Sequence, residues 1–305
     1  MKATICIPCF NAARWLAQAI ESALAQTGVE PEVIVVDDGS TDGSLEIARS
    51  FGSKITLLTG PRRGATTARN LAWRHGTGEW VQFLDADDYL EPGKISTQLT
   101  EAASAGDVIY SPVWIETWTG PNATREKSET APEKDIFTQW IQWRIPQTGG
   151  ALWRRETLER LRGWKEDQPC CQEHELYLRA LMAGTTFRYA PTPGAVYRIW
   201  SEDTLCRKDP RLVARVRTGL VDTMLDWLSA NNKRTPLHEA AAGRVFFEQA
   251  RTWARYDLGE AKAYCAERKS RGCFNVSGPA APRSYRIIYS LFGFAAAERV
   301  ARALR

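Results

Sequence analysis

Four short apolar runs, Ala3 to Ile7, Val33 to Val36, Ile55 to Leu58 and Trp80 to Leu84, alternate with helix-patterned segments along the first part of the chain. That alternation points to βαβ units, because two neighbouring parallel strands need a long crossover and a helix is the usual one. Parallel sheets are covered on both faces, so their strands read as nearly unbroken apolar runs, as these do. From Ala12 to Gln26 the apolar residues fall at Trp15/Leu16, Ala19/Ile20 and Ala23/Leu24, with Arg14, Gln18 and Glu21 on the other side. The spacing predicts a helix with one face on the sheet. The segment through Leu45 and Ile47 and the segment Thr66 to His75 supply the next two helices.

Open α/β sheets bind ligands beyond the carboxyl ends of their strands. Two of those ends are acidic here: Val36 runs into Asp37-Asp38-Gly39-Ser40-Thr41-Asp42, and Leu84 into Asp85-Ala86-Asp87-Asp88. Carboxylates this dense repel one another unless a cation or a set of donors meets them. An oxygen-only set suits Mn²⁺ or Mg²⁺, which keep waters and take further ligands from a substrate diphosphate. Asp-rich turns also cap helices, but capping does not explain two acidic clusters on one edge of one sheet.

Composition excludes several classes. A net charge of +4 over 305 residues is too small for a nucleic-acid binder, and the basic residues do not gather among the aromatic ones except near the terminus. The 7 cysteines, an odd number, include an adjacent pair, Cys170-Cys171, and a lone CxxC, Cys6 to Cys9, with no second such pair, which argues against a zinc site or a disulfide framework and for a reducing cytosol. With no leader-like apolar region at the start and no run of about 18 apolar residues, the expectation is a cytoplasmic protein, soluble or peripheral at the inner face of the membrane.

Four blocks in order resemble family 2 glycosyltransferases: Ile5-Cys6-Ile7-Pro8-Cys9-Phe10-Asn11, Val35-Val36-Asp37-Asp38-Gly39-Ser40-Thr41-Asp42, Ala68-Arg69-Asn70 and Gly78 to Asp88. The likeness continues more loosely through Gly149 to Arg155, Gln172 to Arg179 and Tyr197-Arg198. It implies a GT-A fold, an α/β architecture with a mostly parallel, Rossmann-like sheet flanked by helices, and inverting transfer from a nucleotide-sugar donor, most simply a UDP-sugar. In that frame Asp37 accepts from the donor's base, Pro8 and Phe10 line the same pocket, and Asp85 holds the ribose. Asp87 ligates the cation, Arg69 is a second cation near the phosphates or a helix-surface arginine, and Asp38 and Asp88 are neighbouring candidates.

Inverting transfer also needs a base for the acceptor hydroxyl. The family's carboxylate pair, counted back from Leu176 and Arg179, falls on Gln172-Glu173, so Glu173 takes the base position. His174 and Glu175 are the alternatives under a shifted alignment. The chain departs from the family at the first acid of the pair and again at Trp200, where many members carry a histidine. An indole cannot ligate a metal, so either the cation rests on Asp87 and the diphosphate or Trp200 stacks on a substrate ring.

The expected domains are a glycosyltransferase domain over 1–209, with its donor half at about 1–110 and its acceptor half at about 111–209, and a helical C-terminal region over 210–305. Of 12 tryptophans, Trp114, Trp118, Trp140, Trp143 and Trp153 fall in the acceptor half. Flat rings suit a saccharide or lipid-linked saccharide acceptor, although Ile136, Trp140 and Trp143 are spaced as a core-facing helix. Gly120 to Lys134 reads as an exposed loop able to act as a lid. Val213 to Asn231 and Leu237 to Tyr256 read as paired helices. The last segment sets Ile287 to Phe294 among Arg283, Arg286, Arg299, Arg302 and Arg305. Three placements are open to it: an anionic membrane surface, its own domain, or a second subunit of a homo-oligomer. Two other functions compete, a non-catalytic nucleotide-sugar-binding homologue and a sugar nucleotidyltransferase. The latter usually has a Gly-rich basic loop after its first strand, where this chain has Pro8-Cys9-Phe10-Asn11.

Overall fold

The computed structural model describes residues 1–119, 122–128, 130, 132, 134–200 and 209–304. The chain forms two compact units, one of residues 1–132 and 144–202, the other of 133–143 and 203–305.

In the first unit, β1 (Lys2–Cys9) and β2 (Glu30–Asp37) pair in parallel over their whole length, with Cys9 opposite Asp37. β3 (Thr56–Thr59) flanks β2, and β4 (Trp80–Phe83) flanks β1. The crossovers are α1 (Leu16–Leu24), α2 (Ser44–Ser50) and α3 (Ala65–His75). After β4 come α4 (Lys94–Glu101) and β6 (Val108–Tyr110), with the two-residue β5 (Tyr89–Leu90) between them and β4. β9 (Ala151–Arg154) inserts antiparallel between β4 and β6, and β10 (Phe187–Tyr189) closes that edge, giving the order β10-β6-β9-β4-β1-β2-β3. The mostly parallel sheet is therefore as expected. α6 (Arg155–Leu161) and α7 (Gln172–Met182) follow β9. Ile5, Ile7, Leu16, Ile20, Val35, Trp80 and Leu84 are wholly buried between α1 and the sheet strands.

α1 starts four residues later than its apolar spacing predicts. Asn11 takes a positive φ of 51°, and the amides of Ala12 and Ala13 donate to Ser44 Oγ and Asp42 Oδ2 rather than into a helix. The first turn is thus tied to the second acidic turn instead of to its own helix.

A smaller sheet runs β5, β11 (Ala195–Ile199), β7 (Val113–Thr119), β8 (Asn122–Lys127). β8 lies inside the segment read as an exposed loop, yet it pairs antiparallel with β7 from Asn122 opposite Thr119 to Lys127 opposite Trp114. All its side chains are exposed. Backbone pairing with β7, and not burial, makes it a strand, so it shows no apolar alternation. Residues 120, 121, 129, 131 and 133 of that expected loop lie outside the described residues.

The second unit contains α5 (Ile136–Ile141), α8 (Pro210–Ala230), α9 (Pro236–Ala254), α10 (Leu258–Ser270) and α11 (Arg283–Ala303). Each of the first four is capped by a side chain. Asp209, Thr235 and Asp257 accept amide hydrogen bonds at the starts of α8, α9 and α10, and Asp135 does so for α5. His238 closes a capping box with Thr235 and sets its Nε2 2.7 Å from Asp135 Oδ2. Because Nδ1 accepts from the Thr235 amide, Nε2 carries the proton and donates to Asp135. Phe137 packs against Trp227 with ring centroids 5.7 Å apart, which is why 133–143 groups with the helices and not with the acceptor half. Trp140 is fully buried, as its spacing predicts. Trp143 falls beyond α5, at a positive φ of 65°. Trp153 is also core, 2% exposed and 5.3 Å from the Tyr177 ring.

Glu32 fastens the amino-terminal ends of β1 and β2 to the turn before β4. Its carboxylate meets Lys2 Nζ at 2.8 Å and accepts from Thr4 Oγ1 at 2.6 Å and from the Thr77 amide at 2.7 Å. Burial works against its charge, but these donors hold its pKa down from 4.5 to about 2. A lowered carboxyl pKa stabilises above its ordinary value, and that stability is lost as pH falls toward the folded one. Denaturant titrations should show wild type losing about 1 to 2 kcal/mol more than Glu32→Gln between these two pH values, after allowance for solvent screening.

Candidate active site

β2 ends on Asp37, which is 2% exposed. One oxygen, Oδ2, accepts from the Ser40 amide at 3.1 Å, while Oδ1 is buried with no hydrogen-bond partner among the described residues. A buried acceptor in that state costs stability unless a ligand donates to it. Pro8 is buried in β1 opposite Val36, and Phe10 stands on the next turn, 39% exposed, with the Arg62 guanidinium 4.5 Å above its ring. Asp38 faces elsewhere. Its two oxygens accept from the amides of Arg63 at 2.8 Å and Gly64 at 2.6 Å, and so hold the loop that opens α3. Gly39, at φ 78°, permits the turn that brings the Ser40 amide back to Asp37.

Leu84 still pairs with β1, its amide donating to Cys6 O, so the chain reaches Asp85 at the carboxyl end of the sheet. Asp85 Oδ1 binds Arg69 Nη2 at 2.6 Å. Arg69 is 6% exposed, which removes the helix-surface reading. Its Nη1 donates to Gln172 Oε1 at 3.1 Å, and its guanidinium lies 4.6 Å over the Trp164 ring. Burial opposes its charge, but Asp85, Glu173 and Asp87 outweigh burial and raise its pKa.

Asp87 Oδ2 accepts from Trp200 Nε1 at 2.9 Å, so the indole that stands at the expected histidine position touches the carboxylate directly. Burial and the nearby Asp85 charge raise the Asp87 pKa. Asp88 points inward, 5% exposed, and accepts from the Arg198 amide at 2.8 Å. Burial, then Asp87 and Asp85, push its pKa well up. Arg198, 4% exposed, joins these parts: Nη1 donates to Asp87 O at 2.9 Å and Nη2 to Gln18 Oε1 at 2.6 Å. Nε lies 3.4 Å from Glu116, and the guanidinium sits over Trp15 and Tyr89 at 4.3 and 4.4 Å. Periodicity gave no sign of that central place; the residue stood out only as part of a Tyr-Arg pair.

Glu173 lies in the first turn of α7, which leaves Cys171 at a positive φ of 55°. Its Oε1 accepts from Thr148 Oγ1 at 2.9 Å. Thr148 opens a single 3₁₀ turn through Gly150, where a Cβ would sit 2.9 Å from Ser111 O, so only glycine fits. Thr148 carried no sequence signal beyond preceding two glycines. Glu175 is engaged otherwise, giving both oxygens to Arg179 at 2.7 and 2.9 Å, and Arg179 continues to the Leu161 and Gly163 carbonyls. His174 is half-buried in the same helical turn.

The Tyr197 phenol is raised by burial and then by Asp88, Asp85, Asp87 and Glu173 together. Among the described residues no three carboxylate, histidine or cysteine groups converge as a ready metal cage. The carboxyl groups of Asp87 and Asp88 are nonetheless raised partly by neighbouring negative charge, which a hard cation would relieve, so the donor set fits a divalent ion that completes its shell elsewhere. Replacing Asp38 by Ala should cost about 2 kcal/mol of unfolding free energy through two orphaned amides, read by urea denaturation.

Comparison with known proteins follows the same lines. The family model "Glycosyl transferase family 2" matches residues 4–162. An uncharacterized glycosyltransferase of Nostoc sp. is 34% identical over 172 residues, 53% of each chain. The chondroitin synthase of Pasteurella multocida is 37% identical over 101 residues, 32% of this chain and 10% of the synthase. The matched part thus spans about half of the first relative and a tenth of the second. Among solved structures, S. aureus TarS 1–349 in complex with UDP-GlcNAc aligns over 92% of this chain and 98% of its own, with TM-score 0.59 and 16% identity. The mannosyltransferase PcManGT from Pyrobaculum calidifontis in complex with GDP-Man and Mn²⁺ aligns over 98% and 86%, with TM-score 0.53 and 20% identity. At these identities the two structures speak for the fold.

Proposed function

The chain belongs to glycosyl transferase family 2, and from that membership we propose that it is an inverting glycosyltransferase. It moves a sugar from a nucleoside-diphosphate sugar, most simply a UDP-sugar, to a hydroxyl of a saccharide or lipid-linked saccharide in cell-envelope or polysaccharide synthesis. One observation carries the reading: Arg69 joins Asp85 Oδ1 at 2.6 Å to Gln172 Oε1 at 3.1 Å, which brings the start of α7, and Glu173 with it, to the acidic end of β4. A nucleotidyltransferase has no use for a base placed there, and a binding module has no reason to keep it.

In this reading the open oxygen of Asp37 takes a hydrogen bond from the donor's base, beside Pro8 and Phe10. Asp85, steadied by Arg69, holds the ribose. Asp87 is the residue that would hold Mn²⁺ or Mg²⁺, with Asp88 and Trp200 bracing it and not ligating. The bound ion supplies Lewis acidity to the leaving diphosphate. Thr148 occupies one Glu173 oxygen and leaves the other to take the acceptor's proton as the hydroxyl attacks the anomeric carbon. Asp38 and Glu175 hold the surrounding loops. The half-buried rings of β7, Trp114 and Trp118, face saccharide. No helix among the described residues is long and apolar enough to cross a membrane, and a cytoplasmic site gives access to nucleotide sugars.

Calorimetric titration with UDP, GDP and dTDP, each with and without Mn²⁺, tests the donor class. One nucleotide should bind in a metal-dependent way, and Asp87→Ala should lose that dependence; no binding of any would sink the proposal. Glu173→Gln should bind the same nucleotide normally and lose about 10²- to 10⁴-fold in kcat with acceptor. Thr148→Val should lower kcat about tenfold with KM for donor unchanged.

A further inference from the structure

α11 is broken at Gly293, whose φ of 77° and ψ of −178° are not helical. Its first half has two unlike faces. Tyr285 is 4% exposed and rests on Phe247, with ring centroids 5.5 Å apart. Away from it stand Ile287, Leu291 and Phe292, exposed at 51%, 68% and 70%. Ile287 and Leu291 are one turn apart on one face, and the break after Phe292 leaves that ring at the end of the ridge. Arg283 and Arg286 are exposed on the same half, and neither makes an ion pair among the described residues. Single exposed apolar residues are ordinary, but a contiguous set of large ones marks a contact surface.

We propose that this half-helix docks on an anionic lipid surface. Ile287, Leu291 and Phe292 enter the boundary between headgroups and acyl chains, and Arg283 and Arg286 lie at the level of the lipid phosphates. Charge selects this occupant, since two unpaired guanidiniums flanking an apolar ridge complement negative headgroups. Size points the same way. A stable contact with a second copy needs about 20 to 30 residues a side, whereas insertion at a membrane interface needs only a few side chains with supporting charge. The surface does not depend on the transferase reaction and stands or falls apart from it.

The test is co-sedimentation of the full chain with phosphatidylcholine vesicles, with or without phosphatidylglycerol, at low and high salt. Wild type should bind the phosphatidylglycerol vesicles about tenfold or more tightly than neutral ones, and lose that preference as salt rises. Both Leu291→Asp/Phe292→Asp and Arg283→Glu/Arg286→Glu should drop binding about tenfold or more. Their circular dichroism and melting curves should match wild type, because all four side chains are exposed. Wild type left in the supernatant, or variants that sediment equally, would overturn the proposal. So would light scattering that shows a wild-type dimer and a Leu291→Asp/Phe292→Asp monomer, which would make a second copy the occupant.

Discussion

Three carboxylates within four residues at the end of one strand are tolerable only where buried positive charge meets them. Two guanidiniums do so. Arg69 grips Asp85 from α3, and Arg198 grips the Asp87 carbonyl while its own amide takes Asp88. Each guanidinium is also sheathed by rings, Trp164 for the first and Trp15 with Tyr89 for the second. A buried arginine without such partners would be costly, and so would the acids alone. Acids, arginines and aromatic residues therefore form one unit drawn from distant parts of the first 200 residues. The strand order places it: β1 lies between β2 and β4, so the two acidic ends stand on either side of one strand.

That placement was legible in the sequence because it depends on period and composition. Buried parallel strands read as apolar runs, and the chain direction alone puts their acidic termini on one edge. The family resemblance added the candidate roles, and the fold it implied is the fold observed. Less legible was how each carboxylate is occupied. Asp37 and Asp38 are adjacent and chemically identical, yet one keeps an open oxygen while the other is consumed by loop amides. Glu173 and Glu175 differ likewise: one faces Thr148 and the other is spent on Arg179. Partners as far off as Thr148 and Arg63 leave no periodic trace, whereas Glu175 and Arg179 stand four residues apart on one helix face.

Irregular segments were hidden for a related reason. Residues 133–143 join the helical unit through the Asp135–His238 contact and the Phe137–Trp227 ring contact, which no local pattern announces. The replacement of a histidine by Trp200 was visible, but not its result. The indole N–H reaches the same Asp87 carboxylate from which its coordinating ability had been missed.

β8 carries a different consequence. It ends its sheet, and an edge strand offers a row of free backbone groups to any passing strand. Here that edge bears Arg125, Glu126 and Lys127, all exposed. Charged side chains make a foreign strand expensive to add, so the composition that conceals β8 from pattern reading also guards the molecule against edge-to-edge aggregation.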